Sequence, residues 1–86
     1  QAMLYLKISF GKEIHLLTKE ANYADLIKFI RESFKNLPRN FEITYRDADG
    51  DNISISNDED VKTLYATSTE KFVKIAILPI EDEPAV

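Results

Sequence analysis

Residues 45–61 read YRDADGDNISISNDEDV, in which two acidic clusters flank a short alternation of apolar and polar residues. The six acids fall within fourteen positions and form two groups: Asp47, Asp49 and Asp51, then Asp58, Glu59 and Asp60. Ile53 and Ile55 alternate with polar neighbours between the groups, which is the period of a strand with one buried face. Because six anions held this close repel one another, we expect a cation to neutralise the segment, either a metal ion or the Lys and Arg side chains of a partner protein.

The chain before this segment predicts a β-hairpin followed by a helix. Residues 4–10 alternate apolar and polar side chains, and Gly11 with its neighbour has the composition of a tight turn. A second strand is expected over residues 13–18, with Ile14 and Leu16 facing inward. The apolar spacing then changes to that of a helix over residues 23–36.

Capping residues mark the starts of two helices. Asn22 is of a type that caps helix N-termini, and Asp25 is placed to favour the positive end of the helix that follows. A second, shorter helix is expected to begin near Asp58, where Ser56 and Glu59 stand at the spacing of a capping box.

The two-residue period returns at residues 41–45 and 73–77, which completes the order ββαββαβ. That order predicts an α+β fold of the ubiquitin-like β-grasp class, a mixed five-stranded sheet with two helices. The helix that crosses between the hairpins lets the first and last strands pair in parallel at the sheet centre. We predict a single domain over residues 3–78 and a disordered acidic tail over residues 79–86.

Composition excludes several function classes. The chain has 86 residues, 44% of them apolar, and no cysteine, so one packed domain is expected without a disulfide framework or a thiolate zinc site. It contains neither a secretory signal nor an apolar run of about 20 residues that could span a bilayer. A single histidine and the lack of a glycine-rich phosphate loop argue against an enzyme and against a bound cofactor. We expect a cytoplasmic protein that binds no membrane.

Charge is distributed unevenly along the chain. Residues 1–46 carry eight Lys and Arg against five Asp and Glu, a balance of +3, whereas residues 47–86 carry three against ten, a balance of −7. An acidic half repels nucleic acid, and no basic stripe interleaved with aromatic residues is present. A dipolar domain can instead attract copies of itself head to tail, although ordinary scatter of surface charge would give the same counts.

A calcium loop is the first alternative for the acidic segment. Counted from Asp47, an EF-hand needs glycine at position 6 and a bidentate glutamate at position 12, but those positions hold Asn52 and Asp58. Gly50 is better explained by a tight turn between two strands. A solvated turn followed by a helix with acids in its first turn accounts for the second cluster, but not for the three aspartates of the first.

The whole segment resembles the OPCA motif of the Phox-and-Bem-one domain family. An aromatic residue, spaced aspartates, a glycine, alternating aliphatic residues and an acidic helix start occur in the order of that motif. The resemblance covers residues 3 to 78 and implies a ubiquitin-like interaction domain that scaffolds signalling or selective autophagy. In this family the acidic face of one domain, called type I, docks onto the basic face of another.

The resemblance also implies which residues bind. The acidic face comprises Asp47, Asp49, Asp51, Asp58, Glu59 and Asp60. A basic face depends on a lysine of the first strand, where this chain has Lys7, and Lys12 is a further candidate. Several family members with both faces carry arginines in the second strand, where this chain has Ile14-His15-Leu16-Leu17. The expected partner is a basic-faced domain of the same family, or another copy of this chain bound head to tail.

One further alternative is a ubiquitin-like modifier. Conjugation of such modifiers requires an exposed diglycine terminus, whereas this sequence ends in Glu83-Pro84-Ala85-Val86. A modifier function is therefore not expected.

Overall fold

The computed structural model describes residues 4–80. Its elements are, in order, β1 (Tyr5–Phe10), β2 (Glu13–Leu17), α1 (Tyr23–Ser33), β3 (Phe41–Arg46), β4 (Asn52–Ile55), α2 (Asp58–Thr67) and β5 (Phe72–Pro79). The predicted order ββαββαβ is confirmed. Within the described part of the chain, neither helix has the length and apolarity needed to cross a membrane.

The five strands form one mixed sheet in the order β2-β1-β5-β3-β4. β1 and β5 pair in parallel, as predicted, and the other three pairs are antiparallel. Both helices pack on one face of the sheet and enclose a single core, whose least exposed large side chains are Leu6, Ile8, Leu26, Ile30, Leu64 and Ile75. The opposite face of the sheet, here called the outer face, is not covered by either helix.

The predicted inward orientation of Ile14 and Leu16 is wrong. These side chains are 63% and 46% exposed, whereas Leu17 is buried and His15 is half-buried. The cause is the two-residue loop that begins at Gly11, which has a φ of 61° and pairs the residues on either side of it. That loop sets a register in which Leu17 lies opposite the buried Leu6, so alternate residues of β2 must face outward.

The helix α1 ends three residues earlier than predicted. Asn22 caps its start as expected, since the side chain accepts a hydrogen bond from the Asp25 backbone N–H at 2.8 Å. At the other end Phe34 is extended, with φ −104° and ψ 127°, although its N–H still reaches the Ile30 carbonyl. This change of direction buries Phe34, and its ring centroid lies 4.6 Å from that of His15.

Pro79 closes β5 and precedes the last described residue. The Ile80 N–H donates to the Asn40 carbonyl at 3.0 Å, so the first two residues of the predicted tail continue along the sheet. The remainder of that tail, residues 81–86, lies outside the described residues.

Candidate functional site

The turn between β3 and β4 is organised by one aspartate. Oδ1 of Asp47 accepts hydrogen bonds from the backbone N–H groups of Asp49 at 3.0 Å and Asp51 at 2.9 Å. Gly50 adopts a φ of 87°, which a residue with a Cβ resists, and its N–H donates to the Asp47 carbonyl. The turn therefore brings the three carboxylates together, with an oxygen of each within 4.8 Å of the others.

The second acidic cluster begins α2, but the capping pair differs from the prediction. Asn57, not Ser56, is the N-cap, and its side chain accepts from the Asp60 N–H at 2.9 Å. The Asp60 carboxylate in turn accepts a hydrogen bond at 2.8 Å from the backbone N–H of Ser56, the residue before Asn57. Reciprocal capping is thus present but shifted by one residue, and Glu59 is left exposed outside it.

Asp58 ties the two helices together. Its Oδ1 accepts a hydrogen bond from the Tyr23 backbone N–H at 2.9 Å, which satisfies a free donor in the first turn of α1. Because Asp58 also lies in the first turn of α2, it is favoured by the positive end of that helix. One carboxylate therefore stabilises both helix starts while its second oxygen contributes to the acidic character of the surface.

Tyr45 is a buried tyrosine whose pKa is influenced by both acidic clusters. Burial of this side chain, 6% exposed, raises the pKa of its hydroxyl above the ordinary value, and the negative charges of Asp47 and Asp60 raise the pKa further. A hydrogen bond with Thr67 acts in the opposite direction. One acid of each cluster therefore acts on the same hydroxyl. We call the six acids Asp47, Asp49, Asp51, Asp58, Glu59 and Asp60 the acidic surface.

No Lys or Arg among residues 4–80 forms an ion pair with the acidic surface. The sole ion pair found among residues 4–80 joins His15 to Glu13 at 2.6 Å, and it lies on β2. In the same part of the chain, the side chains of Asp49, Asp51 and Glu59 accept no hydrogen bond from the protein. The repulsion among these charges is thus not relieved by an ion pair within residues 4–80.

The two predicted basic residues lie apart. Lys7 is exposed on the outer face, as its position in the strand predicts, and its Nζ lies 4.9 Å from the centroid of the Phe72 ring. Lys12 is exposed in the loop beyond the end of β1. The register of the parallel pair places Lys74 directly beside Lys7, a neighbour that sequence reasoning missed. Pairing the first and last strands residue by residue would have revealed it.

The three turn carboxylates are also the one group with the spacing of metal ligands among residues 4–80. Calcium takes six to eight oxygen ligands, and one oxygen of Asp47 is already engaged by two backbone N–H groups. The flanking elements are strands instead of the helices of an EF-hand. A turn between strands explains this geometry, and we assign no metal to it.

A shallow, open concavity lies between α2 and the loop that precedes α1. Its ionisable side chains are those of Glu20, Asp58, Lys62 and Tyr65. Asp58 and the Tyr65 hydroxyl already accept backbone N–H groups, and burial raises the pKa of Tyr65. This concavity therefore lacks the paired nucleophile and base of a hydrolytic site.

A β-grasp sheet with a charged, unneutralised surface beside its second helix defines a ubiquitin-like domain suited to binding other proteins. Comparison with known proteins agrees, because the sequence model of the PB1 (Phox-and-Bem-one) domain matches residues 4–78. The chain therefore belongs to the PB1 domain family, whose members are protein–protein interaction modules. Among proteins of curated function, none matches the chain significantly.

Solved PB1 structures share the fold. The AtNBR1-PB1 domain has a TM-score of 0.75 at 23% identity, with 90% of this chain and 97% of that chain covered. The cryo-EM structure of the L-type AtNBR1-PB1 filament gives 0.73 at 24%, with coverage of 90% and 97%. The solution structure of the PB1 domain of Cdc24p (long form) gives 0.65 at 24%, with coverage of 88% and 96%. At these identities the likeness concerns the fold alone.

Proposed function

We propose that the acidic surface binds the basic face of another PB1 domain, which makes this chain an OPCA-type, acidic-faced member of its family. The observation that carries the proposal is that the three turn carboxylates each place an oxygen within 4.8 Å of the others, and none of the six acids forms an ion pair within residues 4–80. Two hydrogen bonds to Asp47 and the capping contacts of α2 hold the carboxylates of Asp47 and Asp60 in place before a partner binds. We also propose a scaffolding role for such pairing, in signalling or in selective autophagy.

Magnitudes favour a partner that engages several of these acids at once. One exposed ion pair contributes about 0–1 kcal/mol, too little for stable binding. Charge-assisted hydrogen bonds from several cations contribute about 1.5–3 kcal/mol each before desolvation, and less of this is lost to ordering when one partner is already rigid. Association through this surface should therefore form rapidly and weaken as salt is added.

The same domain is equipped to bind itself. Lys7 projects from the outer face, whereas the acidic surface adjoins α2 on the helical side of the sheet. Each copy can then bind one neighbour through its acidic surface and another through the part of the outer face around Lys7, here called the Lys7 face. Such a heterologous contact extends into chains. The filament of the AtNBR1-PB1 domain shows that a PB1 fold can assemble repetitively, which supports the same mode here.

Mixing two complementary variants tests this proposal. Asp49→Lys removes the acidic surface as a binding site and keeps the Lys7 face, whereas Lys7→Ala does the reverse. Sedimentation velocity at low salt should show oligomers for the wild type, monomers for either variant alone and a 1:1 complex for the mixture. This pattern follows because each variant retains one functional face, and the pair cannot extend.

The matched control is Glu32→Lys, which makes the same charge reversal at an exposed position of α1. This control should oligomerise like the wild type. Self-association that persists in Asp49→Lys, or that is lost equally in Glu32→Lys, would contradict the proposed docking surface. A wild type that stays monomeric at high concentration and low salt would contradict self-association, and binding to a separate basic-faced domain would then test the acidic surface by itself.

A further inference from the structure

The outer face carries an exposed apolar cluster that the charged residues do not explain. Ile14 is 63% exposed, Leu16 46% and Phe72 44%. Ile14 and Leu16 are on β2, which is an edge strand of the sheet. Large exposed apolar side chains beside a free strand edge favour aggregation, so their presence points to a surface that is covered when the protein functions.

Strand pairing gathers this cluster around Lys7. One row across three strands holds Leu16, Lys7 and Lys74, which are direct partners in the antiparallel and parallel ladders. The row on one side pairs Tyr5 with Phe72, whose ring centroids are 5.7 Å apart, and Ile14 lies in the row on the other side. We call Tyr5, Ile14, Leu16 and Phe72 the apolar patch.

Two cations are therefore set in an apolar surround. The Lys7 ammonium group lies over the Phe72 ring, a cation–π arrangement that keeps it at the centre of the patch. Neither Lys7 nor Lys74 forms an ion pair within residues 4–80. A ligand that fits this surface must carry negative charge, and it must also tolerate contact with hydrocarbon.

We infer that the apolar patch is the docking surface for the acidic turn, residues 47–51, of a second copy of this chain. The inference deepens the proposed function and rests on it. The turn carries three carboxylates within 4.8 Å of one another, which complement the two lysines, and its intervening residue Ala48 is exposed and apolar. Once docked, the turn covers Leu16 and Phe72 and excludes water from the ion pairs, which strengthens them.

This arrangement gives the second strand a role in binding. This strand carries apolar side chains, and its register directs Ile14 and Leu16 to the outer face, where Lys7 lies. Apolar contact then supplies what additional cations would supply elsewhere. Part of the affinity should consequently persist at salt concentrations that screen the ion pairs.

The test uses the 1:1 pair of the Asp49→Lys copy, which offers its Lys7 face, and the Lys7→Ala copy, which offers its acidic surface. Adding Leu16→Thr to the Asp49→Lys copy should weaken the pair about tenfold in isothermal titration calorimetry, because docking then no longer buries a leucine side chain. Adding the same change to the Lys7→Ala copy should have no effect. Threonine suits a strand, so the fold is retained.

Leu78→Thr is the matched control, because Leu78 is also 46% exposed, lies on β5 and is four residues beyond Lys74. It should leave the pair unchanged in either copy. Ile14→Thr, at the most exposed of these apolar positions, provides a second variant should Leu16→Thr perturb folding, and it should weaken the pair in the same copy only.

Each contrary result has its own meaning. Equal affinities for Leu16→Thr and Leu78→Thr would overturn the inference that the apolar patch is a docking surface, while the proposed function stands. Two results would show that the apolar patch contacts something other than the acidic turn. One is weaker binding when Leu16→Thr is placed in the Lys7→Ala copy, and the other is dimerisation of the Asp49→Lys copy alone that Leu16→Thr abolishes. Failure of the parent pair to form would overturn self-association together with this inference, whereas binding of the acidic surface to a separate basic-faced domain would still support the proposed function.

Discussion

The acidic surface and the Lys7 face are built by different means. Hydrogen bonds from backbone N–H groups hold Asp47, Asp58 and Asp60 in place, so three of the six charges of the acidic surface are positioned by polar contacts. The Lys7 face is positioned by strand register and by contact with the Phe72 ring. In the proposed pairing, complementarity therefore does not rest on equal and opposite charge, since one face presents six anions and the other two cations among apolar side chains.

Charge reversal should have the largest effect on binding, and the effect should differ between the two faces. Asp49→Lys with Asp51→Lys should weaken binding to a basic-faced PB1 domain at least about a hundredfold, because like charges then oppose each other across the interface. Lys7→Glu with Lys74→Glu should leave that binding intact and remove self-association. Calorimetry and sedimentation velocity measure the two effects, and a similar loss of partner binding from both double variants would contradict the division into faces.

Within the acidic surface, the aspartate that stabilises the turn should differ from those available to bind a partner. Asp47→Ala should lower the free energy of unfolding by about 1–2 kcal/mol, because two backbone N–H groups lose their acceptor. Asp49→Ala removes no hydrogen bond made by its side chain and relieves repulsion, so the change should stay within about 0.5 kcal/mol. Urea denaturation measures both, and equal losses would show that Asp47 has no special place in the turn.

Tyr45 should report the negative charge of the acidic surface through its pKa. Its pKa is raised, so the folded protein holds the hydroxyl proton more tightly than the unfolded chain does. The resulting stabilisation is fully present below the ordinary tyrosine pKa of about 10 and is lost as pH rises through the higher folded-state value. Asp47→Asn should lower the pKa of Tyr45, and NMR titration of labelled tyrosine measures it. An unchanged value would mean that Asp47 does not act on this hydroxyl.

Calcium should produce the smallest effect. We expect millimolar calcium to give no saturable heat on titration and no more stabilisation than an equal concentration of magnesium, since three carboxylates provide few of the ligands that calcium requires. A saturable, calcium-selective heat that Asp47→Asn abolishes would reopen the metal alternative.

Several features were readable because they depend on neighbouring residues. Asn22 could be identified as a cap from its type and position, and the outward direction of Lys7 follows from strand alternation. The error at Ile14 and Leu16 was avoidable, because a two-residue turn at Gly11 sets the pairing of β2 by simple counting. The end of α1 was harder to predict, since burial of Phe34 against β1 and β2 decides where the helix stops.

The order of strands and helices, the β-grasp class and the identity of the acidic residues are carried by local pattern, because periodicity and capping act over a few residues. Long-range pairing of β1 with β5 alone set Phe72 and Lys74 next to Lys7. These contacts link residues far apart in the chain, and their register depends on how the whole sheet closes over its core. For that reason the charged residues could be listed from the sequence, whereas the apolar surround of Lys7 emerged from the fold.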